Sequence, residues 1–112
     1  MKTLAELTPL TPAVFHILLS LASGDKHGYE IMKQVKQDSS CKVKIGNGTL
    51  YGSIKRMLAD GLIDDAGDRV DPSGDDERRH YYTLTELGRQ ALNAEMQRYH
   101  ELAALIHQRG LL

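Results

Sequence analysis

The side chains that could carry out chemistry in this chain of 112 residues are few and scattered. Metal ligation would have to come from five histidines and one cysteine: His16, His27, Cys41, His80, His100 and His107. None of their pairs shows zinc-finger spacing, and His100 and His107 share a helix face without a second pair to complete four ligands. The sequence therefore predicts no metal site and no cofactor, and ordinary surface or hydrogen-bonded histidines are the expected alternative.

Catalytic chemistry is not indicated either, so we do not expect an enzyme. Cys41 lacks a glycine-rich nucleophile turn, no phosphate-binding loop is present, and paired carboxylates occur only in a turn rich in solvating residues. Lys42 follows Cys41 directly, and a neighbouring cation can make a thiol reactive, which leaves a redox switch as a hypothesis. A lone cysteine forms no disulfide within the chain, and this fits a reducing cytoplasm.

Attraction of phosphate is the chemistry that the charge pattern does favour. The net charge of −1 hides an asymmetry, because Lys26–Arg56 holds seven bases and two acids, whereas Asp64–Glu77 holds seven acids and one base. A local basic face attracts nucleic acid whatever the total charge. The alternative is a solvated surface whose charge is merely uneven.

Three helices are predicted in the first half of the chain. Capping, glycine stops and apolar spacing place them from Pro12, capped by Thr11, to about Ser23, from about His27 to Ser39, and from Asn47 or Gly48 to Gly61. In the second helix, Tyr29, Ile31, Met32 and Val35 are expected to face the core. Residues 41–45 are expected to form a short extended segment.

The second half of the chain predicts a hairpin and one long helix. Strands are expected at Leu62–Arg69 and Arg78–Leu84, separated by turn residues with an acidic tip, and Thr85 caps a helix that ends at about Arg109. This order is typical of a winged helix-turn-helix, a mainly α fold with a β-hairpin wing, in which the third helix enters the major groove. We expect residues 1–84 to form a DNA-binding domain and residues 85–112 a dimerisation helix.

The third helix has a clear core face and an unusually small outer face. Leu50, Ile54, Met57 and Leu58 form an apolar stripe at i, i+4, i+7 and i+8. The opposite face holds Gly48, Gly52, Lys55, Arg56 and Ala59. A glycine inside a helix is about 1 kcal/mol less favourable than alanine. Gly52 therefore indicates either close approach to a DNA groove or tight packing against another helix.

Three sequence blocks resemble those of the PadR family of transcriptional regulators. They are His27–Ile31, then Gly48–Gly52 with Ile54, Arg56-Met57 and Gly61–Ile63, and finally Arg78–Gly88. The resemblance covers most of residues 12–90 in the family's order and spacing. It implies a winged helix-turn-helix dimer that binds an operator, usually represses a nearby gene, and releases DNA when an effector binds.

The short length and single C-terminal helix resemble the small members of that family. Some small members bind flat hydrophobic drugs in a pore between the subunits, stacked on tryptophans of the last helix. This chain contains no tryptophan, and Tyr99 stands at the matching position.

The predicted DNA contacts come from the third helix and its approach, the second helix, and the base of the wing. The acidic tip would repel phosphate, so wing contacts are expected near its base, from Arg69, Arg78, Arg79 or His80, with Arg78 and Arg79 preferred because they match the family block. The alternative is that these arginines pair with the tip's own carboxylates. The full set is Lys33, Lys44, Asn47, Thr49, Tyr51, Gly52, Ser53, Lys55, Arg56, Arg78 and Arg79.

The last helix carries the pattern of a dimer interface. The spacing of Leu92, Met96, Tyr99, Ala103 and Ile106 alternates four and three residues, as in a coiled-coil seam, and Leu102 and Leu105 widen it. We expect two copies to pair here, with a possible effector pocket lined by Leu92, Met96, Tyr99, Leu102, Ala103 and Ile106. The alternative is that the helix folds back on its own domain.

These patterns together predict a cytoplasmic, ligand-responsive repressor. Its expected partners are a pseudo-palindromic double-stranded operator, a second copy of the chain and a small hydrophobic effector. No membrane partner is expected, because the nearly uncharged stretch Leu7–Gly24 is too short and too interrupted to span a bilayer. The alternative function is a winged-helix module for protein–protein contact that docks through Asp75, Asp76 and Glu77.

Overall fold

A computed structural model describes residues 2–70 and 78–112, and within them the predicted fold class is confirmed. The described residues form five helices and a three-stranded antiparallel sheet. The helices are α1 (Leu4–Leu7), α2 (Pro12–Leu21), α3 (Gly28–Asp38), α4 (Asn47–Ala59) and α5 (Glu86–Gln108). The strands are β1 (Lys26–His27), β2 (Ile63–Val70) and β3 (Arg78–Leu84).

Side-chain caps fix where three of the four longer helices begin. The Thr11 hydroxyl accepts a hydrogen bond from the Val14 N–H at 3.2 Å, and the Thr85 hydroxyl accepts one from the Gly88 N–H at 2.9 Å. At α3 the cap is the buried His27, whose Nδ1 accepts the Glu30 N–H at 3.3 Å. Each cap satisfies an amide that has no partner within its own helix, so the predicted starts of α2 and α5 are confirmed.

The core is built from one face of each long helix and the start of β2. Its fully covered members include Ile17, Leu18, Ile31, Leu50, Met57, Ile63 and Leu92. Two residues predicted to face it do not, since Tyr29 is 59% exposed and Leu58 is 36% exposed. Ile31 and Val35 share the buried face of α3, and Tyr29 lies about 200° from Ile31 around the helix.

The prediction of an extended segment at residues 41–45 is wrong. Ser40 and Cys41 adopt left-handed backbone conformations with φ of 53° and 65°. The Cys41 N–H donates to the Lys36 carbonyl at 2.8 Å, which satisfies one of the acceptors left open at the end of α3. A left-handed turn that closes α3 therefore stands where the predicted extended segment was to begin.

The sheet has the order β1-β3-β2, and β1 was not predicted. Lys26 and His27 pair with Tyr82 and Tyr81 of β3, and β2 pairs with the other edge of β3 from Ile63↔Leu84 onward. A two-residue strand is too short to show an alternation of apolar and polar residues, so the sequence gives no signal for it. Its pairing connects the wing to the residues that begin α3.

Another unpredicted element, α1, covers one side of the core. The Thr3 hydroxyl accepts the Glu6 N–H at 3.3 Å, and the Glu6 carboxylate accepts the Thr3 N–H at 3.2 Å, so the two residues form a capping box. Leu4 and Leu7 pack against the core cluster from this single turn.

The start of α5 lies very close to the Gly61-Leu62 link between α4 and β2. The Thr85 hydroxyl lies 2.6 Å from the Gly61 carbonyl oxygen and 2.9 Å from that of Leu62. At Gly88 a Cβ would overlap the Leu62 carbonyl oxygen and would also lie 2.8 Å from Leu84 Cδ1. Only glycine allows this approach, because backbone atoms cannot move aside as a flexible side chain can.

Gly88→Ala is therefore expected to lower the free energy of unfolding by about 2 kcal/mol or more, as overpacking of a close contact does. Urea unfolding followed by circular dichroism measures this. Gly52→Ala is the matched control, because nothing lies within 4 Å of a Cβ built at Gly52. It should instead stabilise the protein by about 1 kcal/mol, through the higher helix propensity of alanine. Equal effects of the two substitutions would contradict this account of Gly88.

Candidate nucleic-acid interface

The outer face of α4 is exposed along its whole length. Burial of Leu50, Ile54 and Met57 turns the opposite side of the helix to solvent. Seven of the predicted contact residues lie on α4, and all except the half-buried Ser53 are exposed: Asn47, Thr49, Tyr51, Gly52, Ser53, Lys55 and Arg56. The helix thus brings two cations, hydroxyl and amide groups, and a glycine onto one accessible surface.

The two glycines of α4 bear on the alternatives for Gly52. A Cβ built at Gly48 or at Gly52 meets no atom of the described residues within 4 Å. Packing of Gly52 against another helix of this chain is therefore wrong. The backbone of α4 is open to an approaching surface at Gly48 and, one turn later, at Gly52.

The N-terminus of α4 is also open. Gly46 is its N-cap residue and supplies no side-chain hydrogen bond to the first turn. The first amides of a helix carry partial positive charge, and without a cap they can donate to an anion such as a phosphate. Lys44 lies just before this end and is exposed.

Tyr51 has one side fixed by the protein while the other remains accessible. Its hydroxyl oxygen lies 2.7 Å from the position that a Cβ at Gly28 would occupy, so the absence of a side chain at Gly28 makes room for the ring. The side chain is still 53% exposed. Tyr51 therefore links the surface of α4 to the start of α3.

Arg69 and His80, at the base of the wing, are engaged by carboxylates of their own chain. The Arg69 guanidinium donates from Nη2 to Asp25 Oδ2 at 2.8 Å, and its carbon lies 4.9 Å from the centre of the Tyr81 ring. His80 lies between two carboxylates of β2, with Nε2 2.8 Å from Asp65 Oδ2 and Nδ1 2.6 Å from Asp68 Oδ1. Both side chains stabilise the position of the hairpin.

The pKa shifts of these groups follow from the same contacts. A hydrogen bond from Thr83 and another from Arg69 lower the pKa of Asp25. The hydrogen bond from the Gly67 amide is the largest cause that lowers the pKa of Asp65. The hydrogen bond to Asp68 and then that to Asp65 raise the pKa of His80. Sequence reasoning missed Asp25 as a partner of the wing residues Arg69 and Thr83, because Asp25 lies far from both along the chain.

The preferred wing arginines lie at the start of β3. Arg78 is exposed and Arg79 is half-buried. The alternative is that these arginines form ion pairs with the acidic residues of the hairpin tip. Those residues, Asp71–Glu77, lie outside the described residues. On α3, Lys33 is exposed and lines a cleft together with Lys44.

The first part of α5 is buried in its own core, and the prediction that Leu92 lies in a dimer seam is corrected. Leu92 is only 2% exposed, because α5 packs against α2 and α1 at this level. No second copy can bury it further.

The later seam residues of α5 are mostly uncovered. Met96 and Tyr99 are each 39% exposed, Leu102 and Ala103 are exposed, and Ile106 is half-buried. The Tyr99 ring meets Phe15 edge to face at 5.1 Å between centroids. The alternative that α5 folds back on its own domain therefore holds as far as Tyr99, whereas Leu102 and Ala103 stay exposed.

A buried carboxylate, Glu95, was missed by the sequence reasoning. It is 2% exposed, and Arg98 donates to it from Nη2 at 2.9 Å and from Nε at 3.3 Å. These hydrogen bonds lower the pKa of Glu95. The i, i+3 spacing of opposite charges on a helix was the available signal.

Other kinds of site find no support in the described residues. Within residues 2–70 and 78–112, no group of three or more histidine, cysteine, aspartate or glutamate side chains is arranged to hold a metal ion. No helix in this part of the chain has both the length and the apolar character needed to cross a membrane. Cys41 is exposed.

Comparison with known proteins gives a family match over most of the chain. The model of the transcriptional regulator PadR-like family matches residues 17–94. A PadR family transcription regulator from Clostridium difficile is 31% identical, with a TM-score of 0.72 over 88% of this chain and 97% of that one. The range of the family match includes α3, α4 and both strands of the hairpin.

Two further matches extend the comparison. One is the structure of Bacillus subtilis PadR in complex with operator DNA, which is 24% identical to this chain. Its TM-score is 0.62 over 74% of this chain and 45% of that one, and this likeness supports the fold. An uncharacterized 37.1 kDa transposon protein of Streptomyces fradiae is 34% identical over 89 residues, or 80% of this chain. The present chain spans 22% of that protein's length.

His80 generates a prediction about pH. Because its folded-state pKa is raised, its pairing stabilises the fold below the unfolded pKa of about 6.5, and this stabilisation is lost as the pH rises through the folded pKa. We expect the stability advantage of the wild type over His80→Gln to shrink between pH 5.5 and 8.5. The change should stay below about 1 kcal/mol, because the side chain is 44% exposed.

Urea unfolding of both proteins at several pH values measures this difference. His100→Gln controls for removal of an imidazole outside the hairpin, because it leaves the contacts of His80 with Asp65 and Asp68 in place. Identical pH profiles of wild type and His80→Gln would show that the pairing with Asp65 and Asp68 does not stabilise the folded wing.

Proposed function

Because the chain belongs to the transcriptional regulator PadR-like family, we propose that it is a sequence-specific DNA-binding repressor that responds to a ligand. It acts as a homodimer on a pseudo-palindromic operator and releases the DNA when a small hydrophobic effector binds. Residues 1–84 bind DNA, and residues 85–112 supply the dimer contact.

The observation that carries this proposal is the open outer face of α4. Gly48 and Gly52 leave the helix backbone uncovered, and the exposed Lys55 and Arg56 lie on the same side. A helix without bulky side chains can lie deep in a major groove, where flanking cations reach phosphates or guanine edges. The open N-terminus of α4 adds backbone donors for a phosphate.

The proposed contacts divide by their place in the fold. Tyr51, Ser53, Lys55 and Arg56 lie on α4, and Asn47 and Thr49 lie in its first turn, where they can reach the groove edge. Lys33 and Lys44 approach the backbone from the side of α3, and Arg78 and Arg79 from the wing. Arg69 and His80, which Asp25, Asp65 and Asp68 hold, were not the preferred wing contacts and are not included.

Dimerisation is supported by the uncovered apolar stripe of α5. Met96, Tyr99 and Leu102 lie on it, with Ala103, Leu105 and Ile106 continuing to the end of the helix. Burial of a leucine or methionine contributes about 1.5–3 kcal/mol, so such a stripe, doubled by symmetry, can hold two copies together. A two-fold axis here would present two α4 helices to successive major grooves, roughly 34 Å apart. The proposed effector pocket is lined by this same stripe.

The first test is binding to the DNA upstream of the chain's own gene, measured by fluorescence anisotropy across a salt series. We expect selective binding over a scrambled duplex and a steep loss of affinity with salt. Lys55→Glu with Arg56→Glu should weaken binding by about 100-fold and reduce the salt slope by about two, because two phosphate or base contacts are lost.

A matched control for that variant is Arg89→Glu with Arg109→Glu, which changes the net charge equally through two exposed residues of α5 and its end. It should retain most of the affinity. Equal losses in both double variants would mean that net charge alone governs binding, and the assignment to α4 would be abandoned.

Leu102→Glu tests the dimer contact, because it places a charge in the apolar stripe. Light scattering after gel filtration should show a shift from dimer to monomer, with operator affinity reduced to that of a single half-site. Asn93→Glu adds the same charge at an exposed position of α5 outside the stripe and should leave the dimer intact. A wild-type protein that is monomeric at all concentrations would overturn this part of the proposal.

A further inference from the structure

A cleft of about 530 Å³ opens between α3 and the turn that leads into α4. One wall is a single face of α3, with residues at i, i+3, i+4 and i+7, and the other wall is three consecutive residues of the turn. They are Tyr29, Met32, Lys33 and Lys36, and Val43, Lys44 and Ile45. The volume lies in the range of roughly 300–1,000 Å³ that is typical of sites for small molecules.

The inner surface of the cleft is apolar and well supported. Met32, Val43 and Ile45 are partly buried and pack against the core cluster. Tyr29 is held on its other side by His27, whose ring stacks with it at 6.4 Å between centroids. Tyr29 nevertheless keeps more than half of its surface exposed. The cleft therefore offers an ordered apolar surface that the described residues leave uncovered.

Three ammonium groups surround this apolar surface. Lys33, Lys36 and Lys44 are all exposed, and the residues that line the cleft include no acid. Within residues 2–70 and 78–112, none of the three has a carboxylate within salt-bridge distance, in contrast to Arg69 and Arg98. The cleft therefore combines positive charge at its edge with apolar groups inside it.

We propose that this cleft binds a straight-chain alkyl carboxylate and that the bound carboxylate competes with DNA. The acid group would lie among the three ammonium groups, and the alkyl chain would lie along Tyr29, Met32 and the turn. A DNA phosphate would satisfy the lysines but would leave the apolar walls in water, so the amphipathic anion fits the whole cleft better. The competition rests on the proposed function, in which Lys33 and Lys44 contact the DNA backbone.

This site is separate from the apolar stripe on α5 that the proposed function assigns to the dimer and to a hydrophobic effector. The cleft is formed by α3 and the turn before α4, and it contains no residue of α5. Its ligand would act at the DNA surface itself and would not need to change the dimer.

The direct test is a titration of the full-length protein with decanoate, followed by amide chemical shifts in NMR spectra. We expect saturable shifts centred on residues 29–36 and 43–45, and much weaker binding of decanol, which has the same chain length without the charge. Shifts centred on Met96–Ile106, or equal binding of decanol, would overturn the proposal. This measurement needs no DNA, so it remains decisive if the proposed function fails.

Charge variants separate the cleft from α4. Lys36→Glu should weaken decanoate binding by about fivefold or more, as expected when an exposed ion pair becomes a repulsion. Lys36→Arg keeps the positive charge and should bind decanoate as the wild type does. Lys55→Gln, on the outer face of α4, should leave decanoate binding unchanged while it weakens DNA binding. Decanoate binding that is insensitive to Lys36→Glu would overturn the site.

Competition is measured by adding decanoate to the protein–DNA complex at constant ionic strength. Release of DNA from the wild type at concentrations that fill the cleft, with release from Lys36→Glu only at higher concentrations, supports the mechanism. Filling of the cleft without any change in DNA affinity would overturn the competition. If decanoate fails to bind and Lys36→Glu weakens DNA as strongly as Lys55→Gln, the cleft is part of the DNA surface alone.

Discussion

The close contact of the start of α5 with the Gly61-Leu62 link that follows α4 is the contact on which the arrangement of the functional surfaces depends. Gly88 lies directly against the Leu62 carbonyl, and the Thr85 hydroxyl meets the carbonyl oxygens of Gly61 and Leu62 while it caps α5. The end of α4, the start of β2 and the start of α5 are therefore fixed at one point. Because such backbone contacts tolerate little movement, the direction of α5 relative to α4 is set there, and with it the spacing of two α4 helices in the proposed dimer.

The described ion pairs of the hairpin hold it in place. Arg69 connects β2 to Asp25 in the turn before α3, and His80 connects β3 to two carboxylates of β2. The pairing of β1 with β3 adds a second connection between the wing and the start of α3. The cations of α3, α4 and the turn between them, by contrast, stay exposed. The proposed DNA surface is thus concentrated on those elements and does not depend on the whole basic content of the chain.

The long helix α5 performs two tasks in two successive parts. Ala91, Leu92 and Glu95 are buried in the protomer, whereas Met96, Tyr99 and Leu102 keep two-fifths or so of their apolar surface exposed. Glu95 is tolerated inside because Arg98 satisfies both of its oxygens from the edge of the core. The boundary between core and free surface falls within one turn, so the same helix can join the folded domain to the proposed partner subunit.

The sequence by itself determined what depends on neighbouring residues. Helix starts at Thr11 and Thr85, the buried stripe of Leu50, Ile54 and Met57, and the two long strands all follow from caps and periodicity, which act over a few residues. The blocks around His27, Gly48 and Arg78 likewise indicated the family.

Only the tertiary structure decided which members of a pattern find a partner. Tyr29 and Leu58 fit their helical stripes and yet lie exposed, and Leu92 fits the seam and yet lies in the core. The strand β1 exists only because β3 pairs with it, and Arg69 is engaged only because the fold brings Asp25 to it. Burial and long-range pairing depend on residues that are distant in the sequence but close in space, and the local spacing of residues does not show which these are.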